Sequence, residues 1–171
     1  KTPYSRNGDG KGTLKSMLRE YIVSEAMYNL NIKTTRSLAV LKTGEKIMRN
    51  GFEEGGLLVR VAKSHIRVGT FQLAALSEER GNIEELVDYS IKRLHPELAE
   101  HKERHLEFYK KIAEDQIKLM VEWQRVGFIH GVMNTDNMAL SGETIDYGPC
   151  AFLDEYNPKK VFSSIDQKGR Y

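Results

Sequence analysis

The sequence has a single cysteine, no long apolar run and almost no excess of either charge, and each shortage excludes a class of protein. Cys150 alone can form neither an internal disulfide nor a cysteine-based zinc site, so nothing indicates an oxidising compartment. The 26 Lys and Arg residues nearly balance 24 Asp and Glu, whereas a dedicated nucleic-acid-binding domain normally carries a basic excess. No apolar run reaches the roughly 18 residues that cross a bilayer. We therefore expect a cytoplasmic chain with no nucleic-acid and no membrane partner.

The composition predicts a folded chain. Hydrophobic residues make up 40% of the 171 positions and charged residues 29%, which lies outside the range of disordered proteins. The length suits one domain or two small lobes. Because the sequence opens at Lys1 rather than at Met, in a stretch typical of a loop, we expect a piece of a longer protein.

The first half of the sequence predicts a loop, one helix and two strands. These elements are a glycine-rich loop over residues 5–12, a helix over 13–30 that stops at Asn31, a strand over 37–41 with a turn at 43–45, and a buried strand over 57–62. Residues 66–71 are harder to place.

The second half is rich in helix formers. Apolar periodicity predicts a helix over 83–94, which ends near His95-Pro96 because proline cannot continue a helix. A longer helix follows over about 97–126 with Trp123 on its apolar face, and Gly127 ends it. The sequence thus predicts an α+β fold in two parts, a small mixed α/β part over residues 1–80 and a mainly helical part over 81–171.

The densest functional signal is the stretch from His130 to Asn137, followed nine residues later by Asp146-Tyr147-Gly148. Protein kinases place a loop His-Arg-Asp-x-x-x-x-Asn ahead of Asp-Phe-Gly, and the Asn and the second Asp hold Mg²⁺ on the ATP phosphates. Counted from His130, Asn137 falls in the required register. Two hard oxygen ligands beside phosphate oxygens suit Mg²⁺.

The position of the usual kinase base is occupied by Val132, which cannot accept a proton. Asp136, next to Asn137, offers another carboxylate on the same loop. The alternative is that Asp136 and Asn137 only form an Asx turn, a common role for these residues in loops.

Several segments closely resemble the selenoprotein O family (SelO, also YdiU). The resembling segments are residues 127–138 and 144–149 around the loop, and also residues 2–6, 8–10, 19–20, 24–27, 60–62 and 64–71. Residues 77–122 carry no comparable motif.

The resemblance implies a partial protein-kinase-like (pseudokinase) fold that transfers AMP from ATP to Ser, Thr or Tyr hydroxyls of protein substrates, with Mg²⁺ or Mn²⁺. Glu20 corresponds to a helix glutamate that pairs with a phosphate-binding lysine, which lies upstream of Lys1 in the family pattern. The resemblance also implies a set of site residues: Asp136 as the base, Asn137 and Asp146 as metal ligands, and Asp9, Gly10, Arg60, Arg67 and Asp146 as nucleotide contacts.

Other interpretations of these residues stay open at the level of sequence. Arg60 and Arg67 suit phosphate oxygens, but lone arginines are mostly exposed surface residues. The Gly8-Asp9-Gly10 segment is also typical of a plain turn. For the whole chain, the alternatives to adenylyl transfer are an inactive nucleotide- or partner-binding module and a protein kinase with a displaced base.

Three further candidates carry weaker signals. His101 and His105 have the i, i+4 spacing of a metal-binding pair, but the charged residues around them favour a solvated helix face. We expect His130 to shape its loop by hydrogen bonding. Cys150 is more typical of a packed thiol than of a reactive one.

Overall fold

The structure is a computed structural model that describes residues 8–76, 82–162 and 168–169, and it combines small antiparallel sheets with helices. The elements are β1 (Gly12–Thr13), α1 (Leu14–Asn29), β2 (Arg36–Met48), β3 (Phe52–Val61), α2 (Val68–Ala75), α3 (Asn82–Leu94), a 3₁₀ turn (Pro96–Leu98), α4 (Arg104–Arg125), β4 (Phe128–Ile129), a second 3₁₀ turn (Thr135–Asn137) and β5 (Ala151–Phe152). The opening of the predicted loop and the predicted boundary near residue 80 lie outside the described residues.

Helix α1 confirms the predicted first helix. It begins after Thr13, whose hydroxyl accepts the Ser16 backbone N–H at 3.3 Å, and it gives way to Asn31 in the left-handed region with φ of 60°. The face that α1 buries differs from its apolar stripe. Glu20 and Met27 are buried. A polar group therefore points into the interior of the protein from this helix.

The main sheet has the strand order β1-β3-β2, all antiparallel, and α1 packs on it. The predicted turn at 43–45 is wrong, because β2 runs through it as an irregularity in which Gly44 has φ of +77°. The reversal comes at Arg49, whose N–H binds the Gly51 carbonyl at 2.9 Å. The predicted burial of the second strand is also wrong, since Leu57 is 48% exposed.

The helical part confirms α3 and corrects the start of the long helix. Helix α3 ends at Leu94, before Pro96, as predicted. Pro96–Leu98 forms a separate 3₁₀ turn, so the long helix begins only at Arg104, and it ends before Gly127, which has φ of +66°. Of residues 66–71, which fit no local pattern, 68–71 form the first half of α2 and Arg67 is its N-cap.

Two apolar clusters hold the helices together. The first consists of Met27, Ile32, Leu119, Trp123, Phe128 and Tyr147, and the second of Ile91, Phe108, Ile112 and Leu140. The prediction that Trp123 belongs to the core is confirmed. The first cluster contains residues of α1 and α4 together with Tyr147, so the Asp146-Tyr147-Gly148 segment is fixed against these two helices. Among the described residues, no helix is long and apolar enough to span a membrane.

Candidate active site

Hydrogen bonds around His130 fold the loop over residues 130–137. His130 is 2% exposed, its Nε2 lies 2.9 Å from the Ile145 carbonyl oxygen, and its Nδ1 accepts the Val132 backbone N–H at 3.3 Å. Burial lowers the pKa of His130, which favours the neutral ring with its proton on Nε2. The predicted structural role of His130 is therefore confirmed.

A further bond ties Asn137, a predicted metal ligand, to the same loop. The Asn137 amide nitrogen donates to the Val132 carbonyl at 2.9 Å, so its Oδ1 is not used in this bond. Asp146 follows directly after Ile145, which His130 holds, and it adopts the left-handed region with φ of 67°. Val132, Asn137 and Ile145 therefore form one hydrogen-bonded frame around His130, the His130 frame, and Asp146 directly follows it in the chain.

The donor set of this frame suits a hard cation bound together with phosphates. It offers one amide oxygen and one carboxylate, and Mg²⁺ takes one or two protein ligands beside substrate phosphate oxygens and water. In the part of the chain that the structure describes, no group of three or more His, Cys, Asp or Glu side chains could hold a metal ion.

Helix α1 holds the backbone of Tyr147. Arg19 Nε donates to the Tyr147 carbonyl at 2.8 Å, and the Tyr147 backbone N–H lies near enough to the Glu20 carboxylate to oppose the rise of its pKa. The Tyr147 ring is fully buried, and its hydroxyl is hydrogen-bonded to Thr34. Burial raises the pKa of Tyr147 far above its usual value, so the phenol stays protonated and serves as an anchor.

Glu20 forms a largely buried ion pair with Arg60 at the end of β3. The Arg60 Nη2 to Glu20 Oε2 distance is 2.7 Å, and the two side chains are 25% and 8% exposed. Burial raises the pKa of the Glu20 carboxyl, the Arg60 charge opposes this, and the nearby Asp146 carboxylate raises it further. The structure thus brings Glu20, Arg60 and Asp146 together.

The first turn of α2 runs along the loop on the side of Asp136. Arg67 Nη1 donates to the Asp136 carbonyl at 3.2 Å, and the Val68 backbone N–H donates to the Met138 carbonyl at 3.0 Å. The Thr135 hydroxyl donates to Gln72 Oε1 at 2.6 Å. The predicted nucleotide residue Arg67 therefore lies beside the predicted base.

Asp9 and Gly10 lie elsewhere on the sheet. The Asp9 carboxylate binds both terminal nitrogens of Arg49 at 2.9 Å and accepts the Lys11 N–H at 3.0 Å, and these bonds hold the pKa of Asp9 well below its usual range. Arg49 lies in the turn that precedes β3, directly after the end of β2, whereas Arg60 is near the opposite end of β3. The structure does not place Asp9 with the Glu20–Arg60 pair.

The weaker candidates have local roles. His105 Nε2 contacts Asp88 at 2.9 Å, while His101 Nδ1 accepts the Glu103 backbone N–H at 3.1 Å. Both histidines are exposed as expected, but His101 lies before α4, so the predicted helical i, i+4 pair is wrong. Cys150 is half-buried against the first apolar cluster, and burial raises the pKa of its thiol, as expected of a packed side chain.

Sequence reasoning overlooked three residues of the site. Arg19 fixes the Tyr147 carbonyl, Gly69 lies against Asp136, and Asn134 has a buried Oδ1 that no other described residue contacts by a hydrogen bond. Their location in the sequence could have marked them as candidates. Arg19 and Gly69 lie inside segments that resemble a known family, and Asn134 lies inside the loop over residues 130–137.

Comparison with known proteins identifies the family. The family model described as protein adenylyltransferase SelO matches residues 1–171. The chain is 60% identical to a protein nucleotidyltransferase YdiU from Bacillus cytotoxicus, 59% to one from Lachnoclostridium phytofermentans and 56% to one from Pelagibacter ubique, each over 171 residues. These matches cover 100% of the chain but only 35% of each relative, so the chain spans about a third of their length. The chain belongs to the SelO family of protein adenylyltransferases.

Proposed function

We propose that this chain carries the catalytic loop and the metal ligands of an enzyme that transfers AMP from ATP to Ser, Thr or Tyr hydroxyls of proteins. The observation that carries the proposal is the His130 frame, because the buried His130 ring holds Ile145, next to Asp146, and Val132, whose carbonyl accepts the Asn137 amide N–H. Membership of the SelO family supports adenylyl rather than phosphoryl transfer.

We also propose that the fold is part of a protein-kinase-like fold. The sheet and α1 would form part of the smaller lobe, over residues 1–80, and the helices with the loop would form part of the larger lobe, over 81–171. Two features support this arrangement. Glu20 points inward from a helix packed on the sheet, and the loop follows directly after the long helix α4.

In this proposal, Asn137 Oδ1 and the Asp146 carboxylate hold Mg²⁺ or Mn²⁺ on the ATP phosphates. The bound cation would supply positive charge next to the phosphates, where negative charge develops. The chain's own residues orient that site. His130 fixes the loop, and α1 fixes the Tyr147 backbone directly after Asp146.

The proposed transfer step uses Asp136 as the base. The oxygen of the protein hydroxyl attacks the α-phosphorus of ATP, the bond to the bridging oxygen breaks, and pyrophosphate leaves. The hydroxyl proton goes to the Asp136 carboxylate. Val132 cannot perform this role, because its side chain is aliphatic and its backbone N–H and C=O are both engaged in the loop.

Arg60 and Arg67 are the proposed contacts to the phosphates. Guanidinium groups bind phosphate oxygens well, and each has five N–H donors, so the bond from Arg67 to the Asp136 carbonyl leaves donors for a phosphate. Arg60 can serve a phosphate and Glu20 together for the same reason. Asp9 and Gly10 would contact the nucleotide only if it reached along the sheet.

The test uses the full-length protein, a model protein substrate, Mg²⁺ or Mn²⁺, and ATP labelled on either the α- or the γ-phosphate. We expect α-label on the substrate and an intact-mass increase of one adenylyl group, both lost in Asp146→Ala. Asp88→Asn, which changes a carboxylate paired with Arg104 and His105, is the matched control and should keep its activity.

The same experiment separates the alternatives. Transfer of γ-label alone would indicate a kinase with Asp136 as a displaced base. ATP binding without transfer of either label would indicate a nucleotide-binding module. Either result would refute adenylyl transfer.

A further inference from the structure

The geometry points to Gly69 as a positioning residue for Asp136, because the space left by its missing side chain is where the Asp136 carboxylate lies. This inference rests on the proposed role of Asp136 as the base. Gly69 belongs to the first turn of α2, and Asp136 lies in the 3₁₀ turn that faces it.

Any side chain added at Gly69 would collide with Asp136. A Cβ built on Gly69 would lie 2.6 Å from Asp136 Oδ1, 3.4 Å from the Asp136 backbone nitrogen and 3.4 Å from the Thr135 carbonyl carbon. A separation of 2.6 Å is a collision between carbon and oxygen, so one group must move.

The backbones on both sides cannot move apart easily. The α2 turn is tied to the loop by Val68 N–H to the Met138 carbonyl, by Arg67 to the Asp136 carbonyl, and by Thr135 to Gln72. These bonds lie on both sides of the contact between Gly69 and Asp136. The group that can yield is therefore the Asp136 side chain, which would rotate away from its present position.

The backbone itself does not require glycine at this position. Gly69 is not among the residues with positive φ, and alanine has a higher helix propensity than glycine. A glycine inside a short helix that needs no special dihedral angles is explained by the close approach of Asp136. Alanine should therefore impair catalysis without a loss of helix stability to account for it.

The test is Gly69→Ala in the full-length protein, with α-labelled ATP and a model protein substrate. Displacement of a catalytic group by about 1 Å costs on the order of 100-fold in rate, so we expect kcat to fall 10- to 100-fold. The KM for ATP should stay within about twofold, because the metal ligands and the phosphate contacts are untouched. Gly12→Ala, whose Cβ would meet only the flexible end of Met17 at 2.8 Å, is the control and should keep its kcat.

A double variant distinguishes failure of this inference from failure of the proposed function. When Asp136→Ala has removed the carboxylate, Gly69→Ala should cause no further loss of kcat. If Asp136→Ala alone leaves kcat unchanged, the proposed base is wrong. If Asp136→Ala abolishes transfer and Gly69→Ala leaves kcat within twofold, the positioning role is refuted.

Thermal unfolding gives a readout that does not depend on activity. Any decrease in Tm caused by Gly69→Ala should be reversed when Asp136→Ala is added, because the colliding oxygen is then gone. A double variant that melts as low as Gly69→Ala would show that the alanine collides with something other than the carboxylate, and it would overturn the inference.

Discussion

Replacement of Arg60 by methionine removes the cation that faces Glu20 and keeps a side chain of similar length. Glu20 is 6% exposed, so its carboxylate cannot gain much hydration to replace the lost ion pair. The Asp146 carboxylate nearby adds a second negative charge, which makes an ionised Glu20 still less favourable. The variant should therefore have an uncompensated buried charge at neutral pH.

The expected magnitude follows from the burial of the pair. Removal of one partner from a fully buried ion pair costs about 3–5 kcal/mol. The Arg60 side chain is 25% exposed, so water screens part of the attraction at 2.7 Å. We expect Arg60→Met to lower the free energy of unfolding by about 2 kcal/mol at pH 7.

The loss of stability caused by Arg60→Met should be larger at neutral pH than at acidic pH. Burial already raises the pKa of Glu20 above 4.5, so the folded protein holds this proton more tightly than the unfolded chain. The proton bound to Glu20 therefore stabilises the folded state at acidic pH. This contribution is lost as the pH rises through the raised pKa of Glu20. Without Arg60 that pKa rises further, so the variant should lose more stability than the wild type as the pH rises from acidic toward neutral.

Urea unfolding of the full-length protein, followed between about pH 4.5 and pH 7, measures this difference. Lys42→Met is the control, since Lys42 pairs with Glu54 on the same sheet but both groups are substantially exposed. Glu20→Gln, added to Arg60→Met, should restore most of the stability lost at pH 7. Equal destabilisation by Arg60→Met at both ends of the pH range would refute the reasoning, because the effect would then not depend on ionised Glu20.

Two further substitutions test the packing that supports the site, each by urea unfolding at pH 7. Tyr147→Phe removes the buried hydroxyl that is bonded to Thr34 and should cost about 1–2 kcal/mol, while an unchanged unfolding midpoint would contradict the anchoring role of the phenol. Gly56→Ala would place a Cβ 2.6 Å from the Leu14 Cα, so α1 must shift on the sheet and we expect a loss of about 1–3 kcal/mol. A stability equal to the wild type would show that α1 can move there freely.

Local signals predicted α1, α3 and the C-terminal end of α4, but neither α2 nor the start of α4. Thr13 caps α1, Pro96 prevents α3 from continuing, and Gly127 follows α4 with positive φ, and each of these signals acts through the residue's own backbone or its nearest neighbours. The spacing of His130, Asn137 and Asp146 likewise requires only a count along the chain. These features were therefore accessible without any knowledge of the fold.

Predictions that depended on strand pairing failed. Gly44 was interpreted as part of a turn, but pairing with β3 continues on both sides of it, so the strand absorbs the positive φ as an irregularity. Leu57 lies in an apolar run that indicated burial, yet it is 48% exposed. Whether a strand residue is covered depends on what packs on each face of the sheet, which the residue pattern of one strand does not encode.

The sequence by itself determined the family, helices α1 and α3 with most of α4, and the residue types of the candidate site. Tertiary structure alone decided that Arg60 faces Glu20, 40 positions away, that Arg19 holds Tyr147 across 128 positions, and that Gly69 borders Asp136. The physical reason is the distance along the chain over which each effect acts. Capping, proline and glycine effects act within a few residues, whereas these contacts exist only because α1, β3 and α2 pack around one loop, and no local periodicity specifies that arrangement.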